Sequence, residues 1–238
     1  MIRFFIENIS DNNYTLTGED AHHAIKSLRV KIGENIILCD KNSFEHICKV
    51  EKISKDEVLL SVIKSQKNTS ESNIKITLYQ ALPKNDKMDL IVQKSVELGV
   101  FKIVPIETSR CISKPSEKSI SKKIERWQKI AKEAAKQSGR GIIPNISSPL
   151  KLDEAISKIK DYDKSLVFYE NGGEKIKNSL KTYDKNISIF IGPEGGFETE
   201  EIDKLKSFGA TISTLGTRIL RTETASLAAI SVITNLFD

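Results

Sequence analysis

Ile187-Ser188-Ile189-Phe190-Ile191, followed by Gly192-Pro193-Glu194-Gly195-Gly196-Phe197, decides the fold of this 238-residue chain. The first part is a β-branched, apolar run, and the glycine-proline cluster after it ends the strand. A second unit of the same kind follows. Ala210-Thr211-Ile212-Ser213-Thr214-Leu215 leads into Gly216-Thr217-Arg218-Ile219-Leu220-Arg221-Thr222-Glu223-Thr224-Ala225. In both, an apolar run ends in a turn and a helix follows. That order sets backbone N–H groups at the carboxyl end of a parallel sheet, where α/β folds hold their ligands. Neither turn is a phosphate loop, since there is no G-x-G-x-x-G and no glycine loop closing on Lys-Ser or Lys-Thr. Glu194, Glu198, Glu200 and Glu201 concentrate negative charge around the first turn. Such a field repels a polyphosphate and suits a small ligand with an adenine-like face and a positive centre.

Outward from these turns, strands alternate with helices from residue 74 onward. Strands are expected at 74–82, 102–107, 165–169, 187–191 and 211–215, and helices at 86–98, 116–138, 152–160, 198–208 and 223–237. Alternation of this kind implies a parallel sheet covered on both faces. Residues 1–68 differ. Short strands at 3–7, 14–17, 35–39, 43–53 and 57–64, with a short helix near 19–28, point to a small β-barrel. The polar, aperiodic run 65–73 is read as the linker, giving domains at 1–68 and 74–238.

Bulk properties narrow the field. The N-terminus turns polar too early for a signal peptide, and no apolar run approaches the roughly 18 residues of a membrane span. Cys39, Cys48 and Cys111 lack C-x-x-C spacing, so neither a disulfide framework nor a metal site is expected, and the cytoplasm is the default compartment. The net charge of +5 is unevenly placed. Residues 110–140 hold ten basic residues, Lys114, Lys122, Lys123, Arg126 and Lys129 among them, against three acids. Concentrated in one helical segment, this excess weighs a phosphate-backbone footprint about equally with a solvated helix face. Trp127 within it reads as core.

Backbone groups of Leu215, Gly216, Ile219 and Leu220 can read an adenine edge while their aliphatic side chains cover its face, the usual build of a cofactor pocket. Arg218, Arg221, Arg140 and Glu223 are the polar groups expected nearest any chemistry, although each alone reads first as a surface or capping charge. No convincing general base is present. Thr222 is a plausible N-cap of the last helix, and that helix is apolar nearly all round, so it is buried on most sides. Lys94 reads either as a partner of Glu97, three residues on along one helical face, or with Lys84 and Lys87 as an RNA contact. Lys84 and Lys87, and His23 and Arg29 in the barrel, are modest RNA-contact candidates.

The two turns also resemble a known family. GPEGGF (192–197) followed by LGTRILRTETA (215–225) is similar to the signature of the ribosomal RNA small subunit methyltransferase E family, of the SPOUT class of S-adenosylmethionine-dependent RNA methyltransferases. The likeness continues upstream in Ala81-Leu82-Pro83-Lys84, Gln93-Lys94-Ser95-Val96-Glu97-Leu98-Gly99, Glu125-Arg126-Trp127, Glu133–Arg140 and His22-His23, spanning nearly the whole chain. The resemblance implies a PUA-like RNA-binding barrel over 1–68, a SPOUT domain over 74–238 whose C-terminal segment threads a trefoil knot, and a homodimer. It implies S-adenosylmethionine held by Tyr169, Glu170, Gly192, Gly196, Leu215, Gly216, Ile219, Leu220 and Thr224. Methyl transfer to N3 of a uridine in 16S ribosomal RNA follows, with Arg221, Arg140 and Glu223 catalytic and His23, Arg29, Lys84, Lys122, Lys123 and Arg126 on the RNA. No metal and no membrane enter. The competing readings are a non-catalytic RNA-binding ribosome-assembly protein and a nucleotide-hydrolysing α/β enzyme. The absence of a phosphate loop disfavours the latter.

Overall fold

A computed structural model describes residues 1–9, 11–112 and 116–237; Lys114 lies outside them. The chain divides into two compact units, residues 1–71 with 135–143, and residues 72–134 with 144 onward.

The first unit contains β1 (Arg3–Phe5), β2 (Asn13–Leu16), α1 (Gly18–His22) running into a π turn over His23–Ser27, β3 (Asn35–Cys39), β4 (Phe44–Ile53) and β5 (Val58–Lys67). Its sheet has the order β1-β3-β4-β5-β2 and curls into a half-barrel, with β1 parallel to β3 and the other neighbours antiparallel. Register slips between Ile47 and Cys48 and between Val50 and Lys52 are bulges that bend the ladder. Strand alternation turns Ile36, Leu38, Val50, Val58 and Leu60 inward onto Phe4 and Leu16. β5 runs on into the stretch read as linker. There, pairing of Gln66 with Glu45 and of Lys67 with Phe44 overrides a composition with no apolar alternation.

Residues 135–143 join this unit through polar contacts. Asn68 Nδ2 donates to Gly139 O (3.1 Å) and to Glu45 Oε1 (2.6 Å). Arg140 Nη2 donates to Glu71 Oε2 (2.6 Å), and the Gly141 N–H donates to Glu71 Oε1 (2.9 Å). Burial alone would raise the Glu45 carboxyl, but Arg3 and Asn68 hold it below its ordinary value. Burial also pushes the Cys39 thiol up to about 11, even with Arg3 Nη1 2.7 Å from its sulfur.

The second unit contains β6 (Lys75–Ala81), α2 (Lys87–Glu97), β7 (Lys102–Glu107), most of α3 (Glu117–Gln137), β8 (Asn145–Ile146), β9 (Leu150–Lys151), α4 (Leu152–Ser157), β10 (Lys164–Phe168), β11 (Glu174–Lys175), α5 (Ile176–Ser179), β12 (Asn186–Ile191), α6 (Thr199–Ser207), β13 (Thr211–Thr214) and α7 (Thr222–Phe237). The sheet order is β11-β13-β10-β12-β6-β7-β8, with β9 also on β7, and every pairing is parallel. β6, β10 and β12 are buried along nearly their whole length, as strands covered on both faces must be. Tyr79 of β6 stacks on Phe190 of β12 at 4.5 Å.

α2 and α7 pack together, with Met88, Ile91, Val92 and Val96 facing Ala229, Ile230 and Ile233 in the core. The expectation that α7 is buried on most sides holds for one face only. Val232 and Leu236 on the other remain 43% and 49% exposed. In α3, Trp127 is buried, with Nε1 donating to Asp89 Oδ1 (3.1 Å), while Lys122 and Lys129 face outward.

Candidate functional site

The strand order sets the site. β10, which comes before both glycine turns in the chain, lies between β12 and β13 in the sheet. Three parallel carboxyl ends therefore converge. Phe168 ends β10 and leads to Tyr169 and Glu170, Ile191 ends β12 and leads to residues 192–197, and Thr214 ends β13 and leads to Leu215, Gly216 and residues 218–222. With Ala225 they enclose a cavity of about 340 Å³. Its wall combines the aliphatic side chains of Ile191, Leu215, Ile219 and Leu220 with the backbone of both glycine turns. Arg218 and Arg221, both exposed, stand on its rim.

Two glycines are favoured by the geometry. Gly196 has φ +70°, and a Cβ there would lie 2.6 Å from Glu170 Oε1. A Cβ at Gly192 would lie 3.2 Å from the Gly196 backbone and from the Phe197 ring, so a side chain there would push the turn open by a few tenths of an ångström. At Gly216 the constraint is φ +111° alone, since a Cβ would meet no atom within 4 Å.

The acidic cluster read on the first turn is largely engaged in fastening it. Arg110, beyond β7, donates through Nη1 to Gly195 O (2.6 Å) and through Nε and Nη2 to the Glu198 carboxylate (both 2.7 Å). That pairing holds the Glu198 carboxyl below its ordinary value. Glu201 Oε1 accepts from the Ser109 N–H (2.8 Å). Glu194 accepts from the Lys84 N–H (3.2 Å) and from Lys87 Nζ (2.9 Å). Partial burial would raise the Glu194 carboxyl, but these donors together hold it low. Lys87 Nζ also lies 3.3 Å from Glu223 Oε2. The field at the turn is thus weaker than the bare count of acids implies. Glu200, exposed, lies in the first turn of α6, where the helix dipole favours a negative charge.

Of the residues singled out from sequence, Tyr169, Glu170, Gly192, Gly196, Leu215, Gly216, Ile219, Leu220 and Arg221 line the cavity. Thr224 and Glu223 do not; Thr224 is exposed on the first turn of α7, and Glu223 is held by Lys87. Arg140 calls for a correction. It belongs to the first unit, is 3% exposed, and its guanidinium is committed to Glu71, so it is no free cation for chemistry at this cavity. Thr222 is not the N-cap, because it lies inside α7 and its hydroxyl donates to Gly192 O (2.7 Å). Lys94 pairs with Glu97 as read. Among the RNA candidates, Arg29, Lys84 and Lys122 are exposed, and Lys123 is half-buried. Arg126 pairs with Asp89, and His23 sits edge-on to Phe4 (6.3 Å). Reading from sequence missed the Arg110 clamp on the first turn and the buried Gln80, and it took Lys87 for an RNA contact where the structure pairs it with Glu194 and Glu223. A glutamine interrupting the apolar run 74–82 was the signal available for Gln80.

A family model for an RNA methyltransferase domain matches residues 70–234, and one for an RNA methyltransferase PUA domain matches residues 16–63. Fold, cavity and matches together define a PUA-bearing RNA methyltransferase. The chain is 36% identical over 245 residues to the ribosomal RNA small subunit methyltransferase E of Bacillus subtilis (strain 168), covering 98% of this chain and 96% of that protein. It is 35% identical to the same enzyme of Buchnera aphidicola subsp. Acyrthosiphon pisum (99% and 93% covered). The crystal structure of a ribosomal RNA small subunit methyltransferase E from Neisseria gonorrhoeae, bound to S-adenosyl methionine, superposes with a TM-score of 0.90 at 32% identity, covering 100% and 98%. This chain belongs to the ribosomal RNA small subunit methyltransferase E family.

Proposed function

We propose that this protein transfers a methyl group from S-adenosylmethionine to N3 of a uridine in 16S ribosomal RNA. The carrying observation is the cavity itself. Two glycine turns and an arginine-flanked aliphatic loop close on one space at the carboxyl ends of three parallel strands, without a phosphate loop. The residues fit the cofactor: Leu215, Ile219 and Leu220 offer an apolar face, backbone groups of 214–220 offer hydrogen bonds, and Glu170 offers a carboxylate to a cation. Bound there, S-adenosylmethionine supplies an electrophilic methyl group on a sulfonium.

The chain's own residues address the other half of the problem. Uracil N3 carries a proton and has no in-plane lone pair free to attack. As the N–C bond forms the N3–H bond breaks, its proton passing to water at the exposed rim, and S-adenosylhomocysteine is the leaving group. Negative charge must therefore develop on the imide and spread to O2 and O4. Arg221, exposed on the rim with Arg218 beside it, is assigned to hold that charge, because a preorganised cation aimed at developing charge lowers the barrier. N3 lies on the Watson–Crick edge, so the target uridine is met unpaired or extruded. Arg29, Lys84, Lys122 and Lys123 are assigned to the RNA backbone. The same reading takes the protein to be a cytoplasmic homodimer whose final segment threads a trefoil knot. The half-exposed apolar face of α7 supports the dimer, since a face of that kind calls for cover. No described helix is long and apolar enough to cross a membrane.

The test is methylation of small ribosomal subunits that lack the modification, with the product nucleoside identified by mass spectrometry. Formation of 3-methyluridine is expected. Methylation at a base carbon or a ribose hydroxyl would overturn the assignment of the atom, and no methylation at all would favour the assembly-protein reading.

A further inference from the structure

Thr222 and Gly192 belong to different glycine turns, and one hydroxyl joins them. Thr222 Oγ1 donates to Gly192 O at 2.7 Å, and both residues line the cavity. Behind them, outside the cavity wall, Gln80 of β6 is fully buried, paired in register with Ile191, the residue before Gly192. Its Nε2 donates to Ala81 O (3.0 Å) and to Thr222 Oγ1 (3.0 Å), and its Oε1 accepts from Ser226 Oγ of α7. Thr222 is 4% exposed and Ser226 is fully buried, so no bulk water completes this network.

The directions of the Gln80 amide and Thr222 hydroxyl hydrogens are determined by the two ends of that chain. Ala81 O can only accept, so the end of the Gln80 side chain facing it is the NH₂ and Oε1 points to Ser226. Gly192 O can only accept, so it takes the single hydroxyl hydrogen of Thr222. Thr222 must then accept from Gln80. The Ser226 hydroxyl, within reach of both Gln80 Oε1 and Thr222 O (3.0 Å), shares its one hydrogen between them and ties α7 to the same network. The Gln80–Thr222–Gly192 chain has one self-consistent arrangement, which a shift of either turn would break. From these contacts we infer that Gln80 is a positioning residue for methyl transfer. Through Thr222 it fixes the 214–222 loop against the 192–197 turn and so sets the width of the cofactor cavity. The inference rests on the cofactor reading proposed above.

Three substitutions and a matched control test it, with S-adenosylmethionine as the probe. Gln80→Met keeps the volume but removes both donors, Thr222→Val keeps the shape but removes the hydroxyl, and Thr222→Ser restores it. Ser188→Ala removes another buried hydrogen bond of the same sheet, Ser188 Oγ to Ser165 Oγ at 2.6 Å, between two residues outside the cavity lining. Leaving buried partners unsatisfied in the wall should weaken S-adenosylmethionine binding by calorimetry roughly tenfold or more for Gln80→Met and Thr222→Val. Thr222→Ser should bind within about twofold of wild type, given that its hydroxyl is kept. Ser188→Ala should lower Tm and leave affinity unchanged. Should Gln80→Met prove insoluble, the Thr222→Val and Thr222→Ser pair decides alone. Wild-type affinity in Gln80→Met and Thr222→Val, with a Tm loss like that of Ser188→Ala, would make the network purely structural and overturn the inference. A wild-type protein that does not bind S-adenosylmethionine would overturn the cofactor reading, and this inference with it.

Discussion

Gly196→Ala isolates how the first glycine turn shapes the cavity. Two separate costs meet at this position. The backbone sits at φ +70°, where an L side chain costs about 1–2 kcal/mol. The new methyl group would also lie 2.6 Å from Glu170 Oε1, closer than real Cβ contacts come, and a tight 3.1 Å from Oε2. The offending atoms are the end of a flexible, exposed side chain, so Glu170 swings away rather than the backbone yielding. A total of about 1–3 kcal/mol follows, the upper part being a strained rotamer. For a chain of this size that corresponds to a drop in Tm of roughly 2–10 °C. Because Glu170 lines the cavity, affinity for S-adenosylmethionine should fall as well. Two controls separate the terms. Gly216→Ala meets no atom within 4 Å and should show only the backbone cost. Glu170→Ala combined with Gly196→Ala should recover the steric part and leave the φ part, a non-additivity that differential scanning calorimetry can measure. The reasoning fails if Gly196→Ala unfolds at the wild-type temperature, or if the double variant loses the full sum of the single losses.

Arg221→Ala should slow single-turnover methyl transfer by about a hundredfold or more while changing cofactor affinity much less, with Arg221→Lys recovering only part, because a point charge lacks the guanidinium fork. A loss confined to cofactor binding would instead make Arg221 part of the pocket. Leu236→Asp, on the exposed face of α7, should yield a folded monomer by light scattering, whereas Ile230→Asp, fully buried, should prevent folding. A dimeric Leu236→Asp protein would refute the assigned interface. Glu194, whose carboxyl is held low, contributes stability that is fully present above the ordinary value of about 4.3 and is lost as pH falls through its lower folded value. Lys87→Met removes a main donor, so acid unfolding followed by circular dichroism should begin at higher pH than in wild type.

What was legible in the sequence was what local pattern controls. Runs such as 187–191 and 102–107 became strands because β-branched apolar residues occupy them, and helices followed where the periodicity changed. The two glycine turns were legible too, because glycine is the residue that reaches the positive φ of Gly196 and Gly216 at least cost. Sheet order was not. That β10 would stand between β12 and β13 depends on which strand ends meet after the chain has crossed over, and no residue near 165 announces it. Thr222 followed by Glu223 has the local look of a helix start, but a carbonyl distant in sequence claims the hydroxyl. Arg140 looked available for the same reason, because its partner Glu71 is brought to it by the fold.

The two-part composition of the first unit governs how it can be made. Asn68 and Glu71 find their partners in Gly139, Arg140 and Gly141, which leave the ribosome only after α2, β7 and α3 have been synthesised. Until then the nascent half-barrel carries carboxylate and amide groups without those protein donors and acceptors. A gene fragment stopping at Glu71 would encode the PUA sheet yet omit the segment that finishes it. An excised PUA unit therefore needs residues 135–143 restored by a designed linker, and chain cleavage between 71 and 135 need not separate the two pieces.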